Sequence, residues 1–192
     1  TDCAGVCGGD AVVDECGDCD GDDSCLQSSI TLGGFDSSGT LEILYDFGSP
    51  VSGFQFDLSG LTITGASGGD AAAAGFTVSS GGSGTVLGFS FTGATIEAGS
   101  GLLTVVSFSS VTSALTELSL GTGAITGPGG LEYIASLSGS ISHGDPDCSG
   151  AYYGDAVVDE CGVCEGSGIA DGVCDCDGTL PEENFDCAGN CL

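Results

Sequence analysis

The twelve cysteines sit near the two ends of the chain and nowhere else. Cys3, Cys7, Cys16, Cys19 and Cys25 lie at one end, and Cys148, Cys161, Cys164, Cys174, Cys176, Cys187 and Cys191 at the other. Between them, the 118 residues from Leu26 to His143 hold none. The 28 acidic residues follow the same map, 8 before Leu26, 8 in the middle and 12 after His143. Three parts result: an acidic Cys-rich module at 1–25, a cysteine-free domain at 26–143 and a second acidic Cys-rich module at 144–192. Segments as short as the flanks bury too little apolar surface to hold a fold alone, so they need cross-links or metal. Cysteine at this density in a short stretch points to an oxidising, extracellular or cell-surface setting, with all twelve residues expected in disulfides. The flanks carry 5 and 7 cysteines, both odd numbers. At least one bridge must therefore join the flanks or link neighbouring subunits, unless a thiol stays free.

Repetition ties the flanks together. Gly9-Asp-Ala-Val-Val-Asp-Glu-Cys-Gly17 recurs unchanged as Gly154-Asp-Ala-Val-Val-Asp-Glu-Cys-Gly162. Asp186-Cys-Ala-Gly-Asn-Cys191 echoes Asp2-Cys-Ala-Gly-Val-Cys7, so a new copy of the motif begins near the last residue. Tyr152 stands where Cys7 has its counterpart, so the second flank must be bridged differently. Position 1 is Thr and no signal peptide is visible, so the chain reads as processed or excerpted.

Charge excludes whole classes of partner. With no Lys, no Arg and a formal charge of −28, the chain repels DNA, RNA and anionic lipid, which are bound through basic side chains. No apolar run reaches the roughly 18 residues that a membrane helix needs, so no membrane insertion is expected. The natural charge partners are cations. A composition that is 41% hydrophobic separates the chain from acidic disordered sequences.

The middle reads as all β. Thr40–Phe47 places Leu41, Ile43, Tyr45 and Phe47 on one face, and Phe54–Leu58 alternates apolar with polar. Further runs are Ser29–Leu32, Leu61–Thr64, Phe76–Ser79, Thr85–Phe91, Leu102–Phe108, Leu115–Leu120 and Tyr133–Ile141, with Gly and Ser clusters between them as turns. About nine short strands in this length fit a sandwich or jelly roll. Asp70–Ala74 is the one helix-like stretch, a single turn with Asp70 as its N-cap.

Asp18, Asp20, Asp22 and Asp23 surround Gly21 as carboxylates do in part of an EF-hand-like calcium loop, and Asp175 and Asp177 repeat the pattern before Gly178. These six residues are the candidate ligands of a structural Ca²⁺ ion in each flank. The spacings Cys16-Gly-Asp-Cys19 and Cys161-Gly-Val-Cys164 also suit structural zinc, but the surrounding carboxylates favour hard cations over soft ones. Enzymatic signals are weak. Gly65-Ala-Ser67-Gly-Gly69 has the spacing of a nucleophile elbow without the strand-to-helix context, and His143 is the single histidine. Glu42 and Asp57 read as solvent-facing strand residues. No catalytic set is assigned.

Asp2-Cys-Ala-Gly-Val-Cys-Gly-Gly-Asp-Ala-Val-Val-Asp-Glu-Cys16 resembles the DCxGxCGG and VVDECGVCGG segments repeated in very large secreted proteins of aquatic microbes. Asp14–Cys25 also resembles the Cys-rich stretch before the spacer of ADAMTS-type proteins and, more loosely, thrombospondin type 3 calcium repeats. Gly53–Leu58 and Val86–Phe91 are similar to strands of cohesin-like sandwiches. These resemblances imply a cohesin-like jelly roll between calcium-binding-like, disulfide-rich modules. The function expected is structural: one subunit or repeat of an extracellular filament, fibre or surface stalk whose partners are copies of itself. The absence of Lys and Arg also removes the preferred cleavage sites of trypsin-like proteases. The alternative is an adhesin or cohesin-like module that binds a glycan or a surface protein.

Overall fold

The computed structural model describes residues 1–14 and 16–191. They form two compact units, Thr1–His143 and Gly144–Leu192. The first unit is an all-β sandwich preceded by the first Cys-rich module, with eleven strands among the described residues. They are β1 (Gln27–Asp36), β2 (Thr40–Phe47), β3 (Gly53–Leu58), β4 (Leu61–Ser67), β5 (Thr77–Ser80), β6 (Thr85–Phe89), β7 (Gly99–Val111), β8 (Leu115–Ser119), β9 (Ile125–Thr126), β10 (Ile134–Ser138) and β11 (Ser140–Ser142). One sheet has the order β10-β1-β2-β7-β4, and the other β11-β8-β3-β6-β5 with β9 also paired to β3. A single helical turn, α1 (Gly69–Ala73), links β4 to β5.

Alternation explains which faces meet. In β2, Leu41, Ile43, Tyr45 and Phe47 point inward while Glu42 and Asp46 face solvent; in β3, Phe54, Phe56 and Leu58 do the same from the other sheet. Leu103 and Thr104 of β7 are both fully buried, which breaks strict alternation. The register with β2 shifts between Ile43 and Leu44, so Leu103 is an extra, bulged residue, and the Thr104 hydroxyl donates to the Ser67 carbonyl at 3.2 Å. Phe54 stacks on Phe76 at 6.1 Å, and its ring lies where a side chain on Gly88 would begin. Gly88 is thus required by close approach, across the β3–β6 pair in which the two residues are direct partners.

Three features differ from the sequence reading, the first being that Gly68, and not Asp70, stands at the N-cap of α1. The run Tyr133–Ile141, expected as one strand, is cut at Gly139, whose φ of 131° suits glycine. β10 then pairs parallel to β1, whereas β11 pairs antiparallel to β8 in the opposite sheet. β9 was not anticipated, and its Ile125 is fully buried. His143 closes the unit. It is 7% exposed, its Nε2 lies 2.8 Å from the Thr116 hydroxyl, and its ring packs on Phe35 at 4.9 Å.

The Cys-rich segments are built on another principle. Among the described residues of 1–25 and 144–191, no side chain reaches the burial of the sandwich core. Val12, Val157 and Leu180 are each about 70% exposed. Disulfides and hydrogen-bonded turns therefore hold these segments, as expected for segments too small for a core.

Candidate cross-linking and cation-binding modules

Six aspartates organise the Cys-rich segments: Asp2 and Asp14 in the first, and Asp147, Asp159, Asp175 and Asp186 in the second. Each is followed three residues later by a glycine with φ between 79° and 89°, a backbone state that only glycine adopts without strain. That glycine donates its N–H to the carbonyl of the aspartate, at 3.1 Å for Gly17 on Asp14 and 3.0 Å for Gly162 on Asp159. The reversed chain then points several N–H groups at the carboxylate. Asp159 Oδ1 accepts from Cys161 at 2.9 Å and Val163 at 2.8 Å, and its Oδ2 accepts from Gly168 at 2.8 Å. Asp14 accepts from the equivalent positions, Cys16 at 2.9 Å, Asp18 at 2.7 Å and Asp23 at 3.1 Å. Asp147 repeats the set with Ser149, Ala151 and Ala156. Asp2 shows two of the three bonds, from Val6 and Ala11.

A second glycine completes four of these turns. Gly9, Gly21, Gly154 and Gly166 lie seven residues after Asp2, Asp14, Asp147 and Asp159, and in each case the carboxylate occupies the place of a Cβ. The pattern D-x-x-G-x-x-x-G is therefore a structural signature of the turn. Its hydrogen bonds favour the ionised carboxylate. Those from Val163 and Gly168 hold Asp159 below the ordinary carboxylate value. At Asp14, desolvation pushes upward and the N–H groups of Asp18, Asp23, Cys16 and Gly17 outweigh it. The Ser149 hydroxyl leads at Asp147, the Thr179 side chain at Asp175 and the Asn190 side chain at Asp186, all lowering the pKa.

Disulfides link one turn to the next. Cys3, one residue after Asp2, bonds Cys19, five residues after Asp14; Cys148 and Cys164 repeat this with Asp147 and Asp159, again 16 residues apart. The backbone bridges Val13↔Cys19 and Val158↔Cys164 coincide as well, so identical sequence adopts the same local structure twice. The modules diverge afterwards. Cys16 bonds Cys25, whereas Cys161 bonds Cys176 and Cys174 bonds Cys187. Ten cysteines are thus paired, each within its own flank. Cys7 and Cys191 depart from the expectation that all twelve are bridged: both are free and exposed. An odd number of cysteines in each flank leaves one thiol over in each.

The expected calcium ligands are not gathered as a loop. The Asp20 carboxylate accepts the N–H of Val12 at 3.2 Å and that of Asp22 the N–H of Ser24 at 3.2 Å, while Asp18 serves Asp14 through its backbone. Asp175 is itself the centre of a turn and accepts from Asp177 at 3.1 Å and Thr179 at 2.9 Å. Among the described residues, one group of possible ligand atoms lies within 4.8 Å, from Asp14, Cys16 and Asp23, of which only Asp23 was expected. Cys16 is bridged, so the group offers two carboxylates, short of the six to eight oxygens that calcium takes. Carbonyls and waters would have to supply the rest.

No family model matches the chain, and no curated protein matches it significantly. Among solved structures, a non-cellulosomal cohesin from the hyperthermophilic archaeon Archaeoglobus fulgidus is similar, with 16% identity and a TM-score of 0.42 over 58% of this chain and 86% of that one.

Proposed function

We propose that the protein is an extracellular structural subunit, a sandwich joined head to tail to further copies of itself through its Cys-rich modules in a filament, fibre or surface stalk. The observation that carries this reading is the duplication of one module. The nine residues from Gly9 and from Gly154 carry the same aspartate turn, and a bridge of the same 16-residue separation links that turn to the one before it, once ahead of the sandwich in the sequence and once after it. Contact between unlike ends of successive copies makes an open filament when its rotation does not close a ring. Calcium is proposed as the counter-ion, with Asp14 and Asp23 the nearest pair of ligands and the remaining flank carboxylates a diffuse reservoir. Divalent counter-charge and salt screening to a few ångströms relieve the repulsion between chains of formal charge −28.

Negative-stain electron microscopy in millimolar calcium tests this reading, before and after chelation with a reductant. Uniform filaments that come apart on treatment support it, and dispersed monomers throughout overturn it. A second reading, an adhesin-like module for a glycan or protein, is favoured by one feature of the second sheet. Phe91 is 83% exposed and meets Phe89 edge-on at 4.7 Å, beside the 38% exposed Leu87. Binding screens on the monomer address it.

A further inference from the structure

We propose that a disulfide between Cys191 of one copy and Cys7 of the next makes the assembly covalent along its length. This inference rests on the head-to-tail reading above and names its chemical bond.

Cys7 and Cys191 occupy the same place in the aspartate turn, five residues after Asp2 and Asp186. In the two sister turns that carry cysteine there, the residue is bonded: Cys19 to Cys3 and Cys164 to Cys148. Cys191 even keeps the backbone pairing of that position, since its bridge with Phe185 matches Val13↔Cys19 and Val158↔Cys164. The position is therefore one that forms disulfides in this fold, and twice it is left without a partner. Cys3, Cys148, Cys176 and Cys187, the cysteines one residue after a turn aspartate, are all bonded within their own flank. Each free thiol is exposed, and the other one offers it a thiol at the same turn position.

The bond forms by exchange with a low-molecular-weight disulfide. The Cys7 thiolate attacks that disulfide and displaces one small thiol. The Cys191 thiolate of a second copy then attacks the mixed-disulfide sulfur on Cys7 and displaces the other. Two protein thiols are oxidised and one small disulfide is reduced, and the two protons lost by the protein thiols are taken up by the two displaced thiolates.

Single variants give the test, because Cys7→Ser and Cys191→Ser leave all five bridges intact. The full-length protein incubated with oxidised glutathione is expected to give a ladder of multimers on non-reducing gels. Digestion at acidic residues should yield a Cys7–Cys191 peptide that mass spectrometry identifies. Each variant alone should remain monomeric, and an equimolar mixture should stop at the dimer. Dimers from either variant alone would show like-to-like pairing and overturn the proposal, as would a monomer with no alkylatable thiol, which means closure within one chain. Filaments of the native protein that lack the bond would sink this inference and leave the head-to-tail reading standing. Monomers with two free thiols and no filaments would remove both.

Discussion

Asp159 accepts the N–H of Gly168, nine residues further on, at 2.8 Å, and so closes a loop that has no buried side chain to hold it. The carboxylate replaces a core. Asp159→Asn keeps the shape but removes the charge that makes such bonds strong. Amide exchange of Cys161, Val163 and Gly168 should speed up in this variant while that of β2 and β3 stays the same. Exchange followed by NMR checks this, and unchanged protection at Gly168 would contradict the role given to Asp159.

Gly166→Ala tests the close approach in the same turn, since its new methyl group would displace the Asp159 carboxylate. The variant should mispair cysteines on oxidative refolding, and a disulfide map should show loss of Cys148–Cys164 or Cys161–Cys176. A native map with native stability would refute the requirement.

In the sandwich, Phe54→Ala should cost about 3–5 kcal/mol, the usual range for deleting a buried aromatic ring. Gly88→Ala should cost about 1–3 kcal/mol by overpacking against that ring. Because the two residues contend for one space, the double variant should be less unstable than the sum of the singles. Urea melts of the four proteins give the coupling energy, and strict additivity would mean that the ring does not need Gly88.

Acid should act in two windows. Desolvation lowers the pKa of His143 from 6.5, so the unfolded chain takes up a proton first and stability falls as pH drops below about 6.5. The turn aspartates have folded values lowered from 3.8. Their contribution is full above 3.8 and is lost as pH falls through the folded value. Thermal melts from pH 8 to 3 should show the first slope in the native protein and not in His143→Gln. A flat native profile between pH 7 and 5 would count against a buried neutral histidine.

Reduction should separate the two kinds of stability. Residues 26–143 hold no cysteine, whereas 144–191 hold three bridges and no core. Full reduction should unfold the second module while the sandwich keeps its melting transition. Losing a bridge costs roughly 2–4 kcal/mol in the usual accounting, ample for so small a unit. Limited proteolysis of reduced protein at acidic residues should spare β2, β3 and β7, and cleavage there first would overturn the division.

Strands were legible where one face is buried. Thr40–Phe47 was read to the residue because Leu41, Ile43, Tyr45 and Phe47 alternate with polar neighbours. Tyr133–Ile141 was read as one strand because alternation does not reveal where a chain leaves one sheet for another; the φ of Gly139 does. The flanks were legible as disulfide modules, not in their chemistry. Asp18, Asp20 and Asp22 drew attention as carboxylates aimed at a cation, whereas Asp14 and Asp159 aim theirs at backbone N–H groups. The spacing of Asp with Gly at three and seven residues was present in the sequence four times. Its meaning lies in a left-handed glycine and a vacant Cβ, neither of which residue type alone discloses.

The bridges of the flanks span between 9 and 16 residues, and none reaches into the sandwich strands. Each flank can then be sealed from its own few residues, with no need to wait for distant sequence. Loop closure over such short stretches takes only tens of nanoseconds, so oxidant supply would set the pace.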